Sequence, residues 1–264
     1  MNSKILRIFY IPCFLIIVIS ISLFYGCNLG YGSAQANGYS YQFSRSALSA
    51  GEVSFRDIPG ITAEEILVIE SFQRSGTSFT YGIIHSTEAF VENNQVRGFA
   101  AHFSEWLTLL FGIPFNPVLY EWGDLVYGLE HGEIDFTGEL TATEEHSQIY
   151  YMTDPIASRS IKYIRHAGSQ PLYNIVAART PHYAFLDGAI TMEFVDRFTR
   201  YVFESVFVNS YEEAYNLLIT GEIDAFFNDS SMEAVFDVYD DVFSSDFIPV
   251  IGIPVSLSTQ NPSL

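Results

Sequence analysis

Two stretches of this chain put polar side chains directly after a strand-like run. GEIDFTGELTAT, from Gly132 to Thr143, brings Glu139, Thr141 and Thr143, and GEIDAFFNDSS, from Gly221 to Ser231, brings Asp229. Leu129 and Leu218 lie three residues ahead of the two glycines, so one helix-to-strand junction is written twice. Carboxylates and hydroxyls at the C-terminal ends of strands are what an open parallel sheet offers a ligand. Gly132 and Gly221 read as helix C-caps. Asp135 and Asp224 read as residues that hydrogen-bond nearby backbone rather than touch a ligand.

Other chemistries find less support. Glu144 and Glu145 stand close to Glu139, but a charged turn at a helix start accounts for them, and Glu139 with His146 is the one acid–base pair worth testing. The histidines (His85, His102, His131, His146, His166 and His182) never recur at i+3 or i+4, so zinc ligation has no spacing to rest on. There is no G-x-S-x-G and no phosphate-cradling glycine loop. The residues imply neither a cofactor, a metal nor an enzyme.

The elements that must position these groups follow a rhythm. TAEEILVIESFQRSG reads as a helix with Thr62 as N-cap, Glu65 completing a capping box and Gly76 ending it. SFTYGII is a strand, HSTEAFVENNQVRG a polar loop, and FAAHFSEWLTLLFG a helix. That helix carries Phe99, Phe103, Trp106, Leu107 and Leu110 on one core face and stops at Gly112 and Pro114. FNPVLY is a strand, Asp124 caps a short helix that ends at Gly132, and IDFTG is a strand. After YYMTDPIASRSIKYIRHAGSQ, where only Tyr150 and Tyr151 read as strand residues, the rhythm restarts. HYAFLDG is a strand, residues 191–201 a helix and FESVFV a strand. Ser210 and Glu213 box the next helix, IDAFFND is a strand, and Ser230 with Glu233 caps a helix toward Tyr239. Alternating β and α elements predict an α/β protein of two lobes, each a parallel-rich sheet flanked by helices, with a cleft between them.

Composition narrows the setting. The 264 residues are 48% hydrophobic and 16% charged, a folding composition, with a net charge of −19 that repels phosphate backbones and argues against nucleic acid. Lys4 and Arg7 precede an uncharged apolar run from Ile8 to Gly26, followed by Cys27, which is the grammar of an export signal. The alternative is an uncleaved anchor. Either one places the body outside the cytoplasm, on a membrane. Cys13 and Cys27 are the only cysteines, so the body has no disulfide framework. Residues 28–56, rich in Gly, Ser, Asn and Tyr, read as a tether.

With Cys27 as a lipidated first residue, the leader resembles a bacterial lipoprotein signal, although Phe24 and Tyr25 depart from the usual lipobox. The run EWGDLVYGLEHGEIDFTGELTATEEHSQIYYMTDPI resembles the first lobe of bacterial solute-binding protein family 3, with its type II periplasmic-binding fold. FVNSYEEAYNLLITGEIDAFFND resembles the second. More narrowly, DIPGIT, GELTAT, MTDPIASRSIKY and PVSLSTQNP resemble sensing modules of histidine kinases and diguanylate cyclases. The resemblance implies a leader over 1–27, a first lobe over 57–163, a second over 164–243, and a segment over 244–264 returning to the first. Family chains continue past this point with a helix or two, so the resemblance implies a C-terminally short form.

It also implies binding residues. Phe90 falls where the family has an aromatic wall, and Trp122 joins the set from the quoted first-lobe run. Glu139, Thr141 and Thr143 fall in the carboxylate-binding segment, Gly188 to Thr191 at a helix-opening turn suited to an anion, and Asp229 where an acid meets the ligand's ammonium group. The departures are specific. The arginine expected after Thr143 is absent, with His146 its nearest equivalent, and a neutral imidazole cannot form a bidentate pair with a carboxylate. Ala189 and Ile190 replace hydroxyl-bearing or small residues, and His102 stands in place of an acid. The function implied is extracytoplasmic capture of a small, polar, amino-acid-like solute, cationic or neutral, for an ABC permease or for a membrane-bound sensor kinase or cyclase. A sensor domain that no longer binds ligand, and a dehydratase-like enzyme on the same fold, are the alternatives.

Overall fold

Each of the two Gly-Glu-Ile-Asp junctions ends a helix and starts a strand, and these two strands sit on opposite sides of one continuous sheet. A computed structural model describes residues 54–264 and the short strands β1 (Ser33–Ala36) and β2 (Tyr39–Gln42). The leader and Cys27 lie outside the described residues. Within the stretch read as a tether, β1 and β2 pair as an antiparallel hairpin, and residues 55–57 form a 3-10 turn capped by Ser54.

The first lobe opens with α1 (Ala63–Ser75), which has the anticipated box: Thr62 accepts from the Glu65 amide, Glu65 accepts from the Thr62 amide, and Gly76 ends the helix in the left-handed region. Then come β3 (Phe79–Ile84), the hairpin β4 (Phe90–Glu92) and β5 (Gln95–Arg97), and α2 (Phe99–Phe111). They are followed by β6 (Phe115–Tyr120), α3 (Trp122–His131) and β7 (Phe136–Leu140). The segment read as a polar loop therefore holds a hairpin. Asn93 and Asn94 both adopt positive φ, the backbone that a tight two-residue turn requires. Asp124 lies inside the first turn of α3 and is not its cap; that position belongs to Glu121.

The second lobe contains α5 (Leu172–Ala178), β9 (His182–Leu186), α6 (Thr191–Phe198), β10 (Glu204–Val208), α7 (Tyr211–Thr220) and β11 (Ala225–Asp229). The short α4 (His146–Ile149) precedes this lobe, and α8 (Glu233–Phe236) follows a 3-10 turn at its end. That turn is capped by Asp229, which accepts from the Ser231 amide, so Ser230 is not the cap. Ser210 does cap α7, while the Glu213 carboxylate accepts from the Asn209 amide one residue earlier.

Two long strands join the lobes: β8 (Tyr151–His166) and β12 (Val242–Thr259). They pair antiparallel along almost their whole length, from Val242↔His166 to Thr259↔Tyr151. The eight-stranded sheet runs β10-β9-β11-β8-β12-β7-β3-β6. The outer strands pair in parallel (β9 with β10 and β11, β3 with β6 and β7), and β8 and β12 form an antiparallel centre. No strand is assigned from sequence over most of β8. Its Pro155, Ser158 and Lys162 break any clean alternation.

Burial follows this plan. Phe79, Leu107, Phe111, Phe115 and Phe136 build the first lobe's core, into which Leu257 and Leu264 pack. Tyr183, Phe185, Val195 and Phe227 anchor the second. A further cluster is shared: Ile84, Trp122, Leu125 and Leu140 pack in one body with Leu186, Val208, Tyr211 and Phe226. On α2, Leu107 and Leu110 are core, but Phe99 is 40% exposed and leads a stacked ladder through Phe103 to Trp106. Among the described residues, no helix is long and apolar enough to cross a membrane.

Candidate functional site

The interlobe cleft lies at the C-terminal ends of β7 and β11. From the first lobe Ile84, Trp122, Glu139, Leu140, Thr141 and His146 line it, and from the second Leu186, Ala189, Ile190, Thr191, Asn228 and Asp229. Ile253 and Val255 of β12 form its floor. The space left between them is about 30 Å³, room for a water molecule or two.

The duplicated aspartates hold each lobe's framework. Asp135 Oδ2 accepts from the Thr80 amide at 2.8 Å, tying the start of β7 to β3. Asp224 accepts from the His182 amide at 2.8 Å and takes both Nη groups of Arg179, at 2.8 and 2.6 Å. Neither lines the cleft. Gly132 and Gly221 are left-handed C-caps with φ of 73° and 76°.

Of the residues singled out from sequence, Trp122, Glu139, Thr141, His146, Thr191 and Asp229 come together around the cleft. Three do not. Phe90 lies in the β4–β5 hairpin, paired with Arg97 and 36% exposed. Thr143 sits in the turn ahead of the short helix α4, whose N-cap is Glu145, and its Oγ1 accepts from the His146 amide at 3.0 Å. Gly188, at φ 73°, makes the turn ahead of α6, where the Ala189 amide bonds to the Leu186 carbonyl. The side chain of Thr191 donates to Asn228 Oδ1, and Asn228 Nδ2 donates to the Tyr211 hydroxyl, a buried polar relay. His146 Nδ1 lies 2.8 Å from the Thr141 carbonyl, which can only accept, so that nitrogen carries the proton.

The residue missed from sequence is Arg159. It projects from the middle of β8 and is 5% exposed. Its Nη2 donates to Glu88 Oε2 at 2.7 Å and its Nε to both Glu88 oxygens at 3.2 Å. Its Nη1 donates to Glu139 Oε2 at 2.7 Å and to Asp229 Oδ2 at 3.3 Å. One guanidinium thus joins two first-lobe carboxylates to one from the second lobe. Burial disfavours its charge, but Glu139, Asp229 and Glu88 outweigh that and hold it firmly protonated. Burial pushes the Glu139 carboxyl up; Arg159 pulls the other way, and Asp229 and Glu88 add to the rise. The Tyr81 and Tyr211 hydroxyls, buried beside the cluster, are also raised, chiefly by burial and then by its carboxylates. This guanidinium comes from a different element than the segment after Thr143, and its donors are committed to the three carboxylates. The signal that could have found it is an arginine midway along a 16-residue strand, in a chain holding 12 lysines and arginines against 31 acids.

Three further bonds cross between lobes. Trp122 Nε1 donates to the Asp187 carbonyl at 2.5 Å, the Thr87 amide to Ser231 O at 2.7 Å, and the Gly123 amide to Asn209 O at 3.3 Å. Together with the shared apolar cluster they define a closed cleft.

No protein-family model matches the chain, and no curated protein matches it. Solved structures do. An amino acid ABC transporter substrate-binding protein from Streptococcus pneumoniae bound to L-arginine is similar at 16% identity, with a TM-score of 0.59, over 74% of this chain and 85% of that one. The arginine-binding protein ArgBP from T. maritima, as a P235GK mutant, is similar at 18% identity and TM-score 0.56, over 73% of this chain and 85% of that one. The B. pertussis BvgS periplasmic domain is similar at 14% identity and TM-score 0.60, over 75% of this chain but 39% of that one. At these identities the likeness is one of fold, and that fold is the two-lobed periplasmic-binding-protein architecture.

Proposed function

We propose that this chain is an extracytoplasmic solute-binding module that takes a small, polar, amino-acid-like molecule between its lobes, for an ABC permease or for signalling across a membrane. One observation carries the reading. Trp122, Glu139, Thr141 and His146 from one lobe face Thr191, Asn228 and Asp229 from the other across a single cleft at the ends of parallel strands, where such sheets bind ligands. The similar structures include ABC transporter substrate-binding proteins and the BvgS periplasmic domain, and they support the reading without choosing between the two roles. The leader ending at Cys27 supports attachment to a membrane through a lipid or an uncleaved anchor.

A dehydratase-like reading would need Glu139 and His146 as an acid–base pair. Glu139 is bound to Arg159 and His146 Nδ1 to the Thr141 carbonyl, which gives both groups structural partners and favours binding over turnover.

The test is thermal unfolding of the purified protein against panels of amino acids, polyamines, small peptides and organic acids. A ligand present at about 100 times its dissociation constant adds about 2.7 kcal/mol, so the midpoint should rise with one chemical class. A midpoint unmoved by every panel would defeat the reading.

A further inference from the structure

The cleft between the closed lobes is narrow, and it is not lined merely by apolar packing. Two of its lining residues, Glu139 and Asp229, already share a cation supplied by the chain itself, Arg159, which lies behind them. Glu88 precedes the β4–β5 hairpin, Glu139 is on β7 and Asp229 ends β11, and their carboxylates converge on the Arg159 guanidinium. Glu139 and Arg159 are both 5% exposed at the side chain, and Asp229 is 15% exposed. Three carboxyl groups share one guanidinium. Charges so deeply buried are tolerated only when paired. Removing the guanidinium would leave two lobes confronting each other with like charges.

We propose that Arg159 is a tethered internal ligand: its guanidinium holds the cleft carboxylates Glu139 and Asp229 in place of a small organic cation, closes the lobes without solute, and makes cations of the guanidinium or ammonium class the solutes that compete for the Glu88–Glu139–Asp229 box. The location of the cleft rests on the receptor reading above, but the closure itself can be tested with no natural solute at all. Lobe closure in this architecture is a hinge motion between bistable states. An internal cation shifts that balance as a bound one would, because it bonds both lobes only in the closed form.

The experiment is small-angle X-ray scattering of the wild-type protein and of Arg159→Ala, each alone, with methylguanidinium, and with urea as a planar neutral control. The wild type should be compact and unmoved by either compound. Arg159→Ala should show a larger radius of gyration, returned to the wild-type value by methylguanidinium and not by urea. An Arg159→Ala protein as compact as wild type would overturn the internal-ligand role. One that stays open in methylguanidinium, or closes equally in urea, would overturn the cation box. Should Arg159→Ala fail to fold, Asp229→Asn carries the test, since it keeps the arginine and loses only the second-lobe carboxylate. Its radius of gyration should rise, and no change would again sink the proposal. A wild type indifferent to every solute would count against the receptor reading and leave this one standing.

Discussion

The indole Nε1 of Trp122 donates to the backbone carbonyl of Asp187 at 2.5 Å, joining the first turn of one lobe's helix to the turn that opens the other lobe's helix. Trp122 is 7% exposed and packs within the cluster shared by both lobes. Trp122→Phe keeps most of the ring and removes the donor. The substitution should cost about 0.5–1.5 kcal/mol, the net worth of one hydrogen bond, because Asp187 is exposed and its freed carbonyl can turn to water. Urea unfolding followed by the remaining Trp106 fluorescence reads it directly, and an unchanged midpoint would mean the bond makes no net contribution.

The two duplicated aspartates differ in what they hold. Asp224 is 8% exposed, accepts a backbone amide and pairs with Arg179 through two bonds. Asp135 accepts one amide, and burial holds its carboxyl above the usual range. Asp224→Asn should therefore lose about 1.5–3 kcal/mol, as expected for hydrogen bonds to a charged group. Asp135→Asn should lose less, because an amide oxygen can accept from Thr80 without a buried charge. Equal losses would contradict this assignment of roles.

Gly98 opens α2 at φ 99°, and a Cβ there would collide with the Glu88 carbonyl, which also accepts from the Ala100 amide. Gly98→Ala should be destabilised by about 1–3 kcal/mol of backbone strain, with the clash displacing Glu88 from Arg159. Gly132→Ala also has positive φ but meets nothing within 4 Å, so it should show the milder loss of about 1–2 kcal/mol. Thermal midpoints of the two variants give the order.

His102 Nδ1 lies 3.7 Å from Glu105 Oε2, across one turn of α2. Its bond to Glu105 raises the imidazole pKa against the opposing effect of burial, with the Glu105 charge adding and Arg97 opposing. A folded pKa above the unfolded one gives stability that is fully present below about pH 6.5 and lost as pH rises through the folded value. The midpoint difference between wild type and His102→Gln should be largest at the acid end and vanish toward alkaline pH. With the side chain 65% exposed, the gap should stay under about 1 kcal/mol. A gap that grows with pH would refute the pairing.

The elements legible in the sequence are those fixed by neighbours along the chain. Thr62 with Glu65, the C-cap glycines Gly132 and Gly221, and the strands after them follow from bonds spanning three or four residues. The hairpin at Asn93 and Asn94 is not legible there because its strands are only three residues each, too short for an alternation to register. Asp229 and Glu139 are legible as polar groups at strand ends, a position that local pattern specifies.

What the sequence determined by itself was the duplicated α/β plan and the sides from which each lobe offers polar groups. Only the tertiary structure decided that β8 and β12 run through both lobes, and so that Arg159 reaches Glu88, 71 residues away, and Asp229, 70 residues away, at one point. The physical reason is range. Caps and periodicities are set by backbone bonds a few residues apart, whereas a buried charge is placed by whichever distant carboxylates the sheet order brings within reach of it.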